Sequence, residues 1–334
     1  MANTHTRRWR VYGSAAAHEG ILANIVGFGK DTTGGAGGTL YHVTNLNDSG
    51  AGSLRAGIES TTTYWIVFDV SGTITLTTVL FPLSNKTIDG RGADIVIAGE
   101  GFVVGTWTTN PGIAIGNIIF HNLKFVGTTG DGQIRVCENV QNIWIDHCYF
   151  QHHMDEGVYV GSGSLFDTGI PPTGVTVSWC HFPIKVAQEY DDKAMLLGSL
   201  AYDSSMTLTL HHNNYEGHIR NPELRRAKVH SFNNYYQDNE VGAQVYNGGQ
   251  FYSENDILDA PYPAAYPTIA VVDGSAKVKV INPYLITSAT YQEQDTGTIF
   301  NPSASYSYTL ETADATLLAA IEAGVGWQDV ELPQ

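Results

Sequence analysis

Residues 207–235 read TLTLHHNNYEGHIRNPELRRAKVHSFNNY. Two apolar-alternating runs, ending in Asn213-Asn214-Tyr215 and Asn233-Asn234-Tyr235, flank a short connection that holds Arg220, Pro222, Arg225 and Arg226. Alternation predicts half-buried strands, and the paired asparagines predict turns in which side-chain amides bond the backbone. Two near-copies in succession imply stacked rungs. The Arg-x-Pro-x-x-Arg run then lies on one side of the stack, on a proline-stiffened backbone, and is where chemistry is expected.

Outward from this stretch the same unit recurs. Five nine-residue modules align without gaps: NIIFHNLKF (117–125), NIWIDHCYF (142–150), GVTVSWCHF (174–182), TLTLHHNNY (207–215) and AKVHSFNNY (227–235). They start 25, 32, 33 and 20 residues apart, a near-constant strand content with loops of variable length. That is the signature of a solenoid whose coils bury their inner faces by stacking on one another. The seventh positions, Leu123, Cys148, Cys180, Asn213 and Asn233, form an expected ladder of like on like. Lys228 and His230 occupy places that are apolar in the first four modules, so the fifth coil is expected to shift by one residue or to carry a bulge.

Between Leu40 and Ile97, short strands separated by Gly, Asn and Asp have no intervening amphipathic helix, and 36 Gly with 18 Tyr fit a turn-rich β protein. Residues 14–25 are expected to form an N-terminal capping helix, and about 312–324 a C-terminal helix N-capped near Thr312 or Asp314. No linker divides the chain, so 1–334 is expected to be one domain. The glycine-rich run 26–38 lacks the ending of a P-loop and the strand-to-helix context of a dinucleotide turn, and reads as tight turns.

A net charge of −16 argues against nucleic acid and against an anionic membrane surface. Of 17 Lys and Arg, however, Lys193, Arg220, Arg225, Arg226 and Lys228 fall in one short span, so a local basic patch for an anionic substrate is compatible with an acidic whole. No stretch suits a transmembrane helix, and the N-terminus lacks the apolar region of an export signal. Three cysteines are too few for a disulfide framework; Cys148 and Cys180 read as a buried thiol ladder. Asp146, on the outward parity of its strand, reads with His147 as structural support. His211, His212 and His230 read as ladder hydrogen-bonders, and no His/Cys set at zinc spacing is present.

The chain resembles the pectate lyases of polysaccharide lyase family 1. The resemblance rests on GFGKDTTGGAGG followed by VTNLNDSGAGSLRAGI, on SNKTIDGRGADIVIAGEG, NIWIDHCYF, GVTVSWCHF with Lys193 and LLGS behind it, and on LHHNNYEGHIRNPELRRAKVHSFNNYY. It implies an all-β, right-handed parallel β-helix and β-elimination on a 1,4-linked polyuronate. It also implies Arg220 as the base at C5, Arg225 as partner of a substrate carboxylate and Lys193 as substrate-binding. Arg220, Lys193 and Arg225 are thus the expected catalytic residues, and Arg226 and Lys228 are expected as further substrate contacts. Because arginine almost never gives up its proton in proteins, the Arg220 role requires neighbouring cations that suppress its charge. The family's Ca2+ site draws on four acidic residues, whereas here Asp131-Gly132-Gln133 and Glu156 followed by Val160 retain only two. Asp131, Gln133 and Glu156, helped by Asp155, are the expected ligands of a reduced Ca2+ site; alternatively Arg135 or another base supplies the charge.

The expected protein is thus a secreted, extracellular lyase, a monomer acting on an acidic polysaccharide such as pectate. Three alternatives stay open. One is a phage-type capsule or exopolysaccharide depolymerase. Another is a glycoside hydrolase using carboxylates among Asp131, Asp155 and Glu156. The last is a non-catalytic carbohydrate-binding β-helix.

Overall fold

The computed structural model describes residues 18–105, 114–128, 132–151, 155–162, 169–183, 193–199, 201–217, 220–237, 242–260, 266–295 and 297–332. Its strands are short, and successive strands join three different sheets in turn. The result is a right-handed parallel β-helix with sheets of ten, nine and seven strands. Strands Ile115–His121, Val140–Asp146, Thr173–Ser178 and Thr207–His211 stack in the first sheet, each parallel to the last. Inward positions along them are Ile118, Ile143, Val175 and Leu208, all fully buried, because β-branched and aliphatic side chains fill the pleat of a sheet whose inner face is dry.

The second sheet contributes a stack of rings to the core. Phe125, Phe150, Phe182, Tyr215 and Tyr236 lie face to face with centroids 5.0, 4.9, 5.1 and 5.1 Å apart. The ungapped alignment put Tyr235 at the end of this stack, but the strand register pairs Tyr215 with Tyr236. The same correction runs through the fifth module, where Thr207 pairs with Lys228 and Leu208 with Val229. Of the shift or bulge expected from Lys228 and His230, the one-residue shift is the one present. It moves Asn234, not Asn233, onto the ladder above Asn213: the Asn213 backbone N–H and Nδ2 both donate to Asn234 Oδ1 at 2.9 Å. Cys148 and Cys180 are buried thiols on adjacent rungs, with no disulfide.

From strand Ile115–His121 onward, each passage from the first sheet to the second turns on one residue with positive φ: Asn122, His147, Trp179, His212, Asn233, Asn255 and Asn282, all between 48° and 59°. Asparagine enters this left-handed region most readily among non-glycine residues. His147, Trp179 and His212 are tolerated because their rings stack, with interplanar angles of 11° and 17°.

The termini cover the outer faces. Residues Glu19–Asn24 form a 3-10 helix, shorter and tighter than the capping helix expected for 14–25, whose first four residues lie outside the described residues. The glycine-rich run lies directly on the first sheet. Gly29 and Gly35 donate backbone N–H groups to the outward hydroxyls of Thr176 and Thr87 at 3.0 and 2.9 Å. A Cβ on Gly35 would come within 2.0 Å of the Tyr64 carbonyl oxygen, so close approach accounts for that glycine. At the other end, helix Ala315–Gly324 is N-capped by Asp314, which accepts from the backbone of Thr316 and Leu317, and buries Leu317 and Ile321 against Ile257 and Tyr235.

The asparagine ladder ends in Asp256, whose carboxylate accepts from Ser231 and Ser253 hydroxyls at 2.6 and 2.7 Å and from the Asn234 backbone at 2.8 Å. Burial outweighs these donors and pushes its carboxyl up to about 6. Because the folded state then holds the proton more tightly than the unfolded chain, this group's contribution is full below about pH 4 and is lost as pH rises through 6. Asp256→Asn continues the ladder without the charge. In urea denaturation from pH 4 to 7.5 it should remove a decline on the order of 2–3 kcal/mol seen in the parent; an unchanged decline would refute this role.

Candidate functional site

The outer face of the third sheet brings the basic residues together. Lys193 opens strand Lys193–Leu197, and its backbone pairs with that of Arg220 on the next rung. Arg225 ends strand Glu223–Arg225 on that same rung. The Asn221 side chain ties the two rungs, accepting from the Ala194 backbone N–H at 2.8 Å. Three cations, the outer two 32 residues apart in sequence, thus share one face because the coil length brings them there.

A single carboxylate anchors both arginines. Glu223 is fully buried and accepts from Arg220 Nη1 at 2.6 Å through one oxygen, and from Arg225 Nη2 and Tyr246 Oη through the other. Arg225 Nε also donates to Tyr246 Oη at 2.8 Å, and its guanidinium lies 5.2 Å from the Tyr246 ring centroid. Two guanidiniums on one carboxylate leave an excess positive charge directed outward, with each arginine side chain about one-third exposed (32%).

On the preceding rung Lys193 Nζ donates to Asp155 at 2.9 Å and lies 3.7 Å from Glu156. Burial works against the Lys193 charge, but the Asp155 hydrogen bond and the charges of Asp155, Glu156 and Glu223 together outweigh it and hold the amine above its ordinary value. Glu156 is only 3% exposed at its side chain. Burial first, and then the Asp155 carboxylate, push its carboxyl up to about 8, against the pull of Lys193 and Arg135. The Gln133 backbone N–H donates to the Glu156 carbonyl at 3.2 Å, so the two residues occupy neighbouring rungs. Gln133 Oε1 is buried with no hydrogen-bond partner. An unsatisfied amide oxygen on one rung and a buried carboxyl on the next are oxygen ligands of the kind a hard cation takes.

Of the residues expected at the site, Lys193, Arg220, Arg225, Gln133 and Glu156 lie on this sheet. Asp131 is outside the described residues. Arg226 sits at the corner after the third sheet, with φ 63° and its Nε buried without a hydrogen bond. Lys228 lies beyond that corner, on the first sheet. Glu223 and Tyr246, which complete this arrangement, are not among the residues expected at the site from sequence. Both are visible only through the register, which pairs Arg225 with Tyr246 on the following coil. Arg135 also reaches this face, 4.9 Å above the Tyr159 ring.

Fold and face together define a parallel β-helix protein with a cationic, carboxylate-anchored outer sheet. The pattern of the family described as pectate lyase matches residues 15–328, and the chain belongs to that family. It is 34% identical to "Probable pectate lyase 16" of Arabidopsis thaliana over 252 residues, covering 68% of this chain and 60% of that protein. It is 32% identical to a pectate lyase of Lilium longiflorum, covering 70% of this chain and 56% of that one. The chain thus spans somewhat under two thirds of the length of these relatives. Among solved structures, the major allergen from cedar pollen aligns over 96% of this chain and 98% of its own with a TM-score of 0.74 at 24% identity. A Bacillus pectate lyase in complex with trigalacturonate aligns over 90% of this chain and 98% of its own with a TM-score of 0.62 at 22% identity. These structural likenesses carry the fold.

Proposed function

We propose that the third-sheet face binds a 1,4-linked polyuronate, with pectate or polygalacturonate as the first candidate, and cleaves it by β-elimination. The observation that carries this reading is the sharing of buried Glu223 by Arg220 and Arg225 beside Lys193. A uronate carboxylate placed over the face meets the outward guanidinium edge of Arg225 and the Lys193 ammonium. Neutralising that carboxylate acidifies the adjacent C5–H and stabilises the enolate-like charge that develops there. Arg220 stands as the proton acceptor. The C5–H electron pair forms the C4=C5 double bond, the C4–O bond breaks, and the departing oxygen takes a proton from water. Lys193, paired through its backbone with Arg220, and Arg225, on the shared Glu223, are the cations that neighbour Arg220.

The family resemblance also implies Ca2+. Glu156 and the Gln133 amide oxygen, with Asp155 alongside, are the residues that would hold it, and the ion would supply positive charge to offset a substrate carboxylate. Lys193 already occupies Asp155, so the protein supplies part of that positive charge itself. An extracellular location and a monomeric lyase acting on acidic polysaccharide accompany this reading; among the described residues no helix is long and apolar enough to cross a membrane.

The test is ultraviolet absorbance during incubation with polygalacturonate, with Ca2+ and separately with EDTA. Elimination conjugates the new double bond with the carboxylate, whereas hydrolysis does not. The expected result is a rise that EDTA lowers by at least tenfold and Ca2+ restores. A rise indifferent to EDTA would retain the lyase and assign carboxylate neutralisation to Lys193, Arg225 and Arg135. No rise on polygalacturonate, methylated pectin or alginate would overturn the elimination reading and leave binding alone.

A further inference from the structure

The corner between the first and second sheets carries a cluster that the polysaccharide site does not use. His121, at the end of strand Ile115–His121, stands one rung before Asp146, at the end of Val140–Asp146, and His147 is the corner residue that follows. His121 Nδ1 lies 2.9 Å and His147 Nδ1 2.7 Å from the same atom, Asp146 Oδ2. All three possible ligand atoms fall within 4.8 Å of one another. No spacing rule reveals this set, because His121 comes from the previous coil, 25 residues before Asp146.

The side chains are held from behind. Ser178 Oγ donates to Asp146 Oδ1 at 2.5 Å and accepts from Trp144 Nε1 at 2.8 Å, which fixes the carboxylate with Oδ2 toward the two imidazoles. The His121 ring stacks on Trp144 and the His147 ring on Trp179. Such outer partners orient ligands in metal sites. Asp146 and His121 are buried (4% and 8% exposed side chains), while His147 at 28% opens the cluster to solvent and leaves room for water as a further ligand.

We propose that His121, Asp146 and His147 form a binding site for a divalent transition metal ion of the zinc class. Two imidazole nitrogens and one carboxylate oxygen suit such an ion better than the all-oxygen preference of Ca2+ or Mg2+. In such a site each imidazole would offer Nδ1 to the ion and carry its proton on Nε2. The nitrogen-to-oxygen separations open by about half an ångström to reach the edge of a tetrahedral zinc centre. The ion would clamp two rungs and a corner on the side of the coil away from the third sheet.

The experiment is competition for Zn2+ between a chromophoric chelator and the full chain, beside His147→Asn and His181→Gln. Asparagine occupies the equivalent corner at positions 122, 233, 255 and 282 with the same positive φ, so His147→Asn preserves the turn while deleting a ligand. His181 pairs with Glu216 elsewhere and serves as the control. The expected result is one equivalent of Zn2+ whose affinity falls at least tenfold in His147→Asn and stays unchanged in His181→Gln. Thermal melting should rise with Zn2+ in the parent and not in His147→Asn. No binding by the parent, or equal stoichiometry and affinity in parent and His147→Asn, would overturn the site. Melting without metal identifies any variant that has lost its fold, and Asp146→Asn, with the corner intact, then replaces it with the same expectation.

Discussion

Arg220→Ala is expected to lower kcat on polygalacturonate by roughly a thousandfold, the scale of losing a positioned proton acceptor, while KM changes little. The split follows from the geometry. Arg225 keeps two other partners, Glu223 and Tyr246, and Lys193 keeps Asp155, so the groups assigned to the substrate carboxylate stay in place when Arg220 is truncated. Glu223 also keeps two donors after the change, which avoids leaving a buried carboxylate unpaired. The variant should therefore fold and bind polymer. Initial rates from ultraviolet absorbance, with binding by affinity electrophoresis in polygalacturonate, make the measurement. Activity within tenfold of the parent would remove Arg220 from the chemistry. A matched loss of binding and turnover would instead assign it to substrate capture.

The second large effect is on stability. Phe150→Ala should destabilise the protein by about 3–5 kcal/mol, because the ring is fully buried and leaves a cavity that neighbours cannot fill. Its ring lies between Phe125 and Phe182 at 5.0 and 4.9 Å, and truncation interrupts the stack in the middle of the coil, where each rung depends on both neighbours. Leu285→Ala, at a position 44% exposed near the end of the second sheet, is the contrast and should cost about 0.5 kcal/mol or less. Urea denaturation followed by tyrosine and tryptophan fluorescence reads both. Equal midpoints for the two variants would show that the ring stack does not hold the coil together.

Much of the coil is legible along the chain. The recurring alternation and terminal aromatics of 117–125, 142–150, 174–182 and 207–215 identify the strands that stack. The mismatch at Lys228 and His230 marks the fifth coil as shifted or bulged from the sequence alone, because a one-residue slip puts polar side chains where apolar ones are required. It does not by itself choose between Asn233 and Asn234 as the ladder member. That choice depends on hydrogen bonds between neighbouring strands, which place Asn233 at the corner with φ 54° and Asn234 inside.

At the candidate site, Arg220, Arg225 and Lys193 could be named from their spacing and from family resemblance. The same reading grouped Arg226 and Lys228 with them, although one is a corner residue and the other belongs to a different sheet. Sequence neighbours need not be spatial neighbours where the chain turns. The amino-acid sequence by itself determined a coiled β architecture, a local concentration of cations and their companion carboxylates. Only the tertiary structure decided that Glu223 lies beneath both arginines, that Tyr246 closes the group from the next coil, and that His121 joins Asp146 and His147. The physical reason is common to all three. Loop lengths vary from coil to coil, so which side chains meet across rungs is set by inter-strand hydrogen bonding and core packing rather than by any fixed interval along the chain.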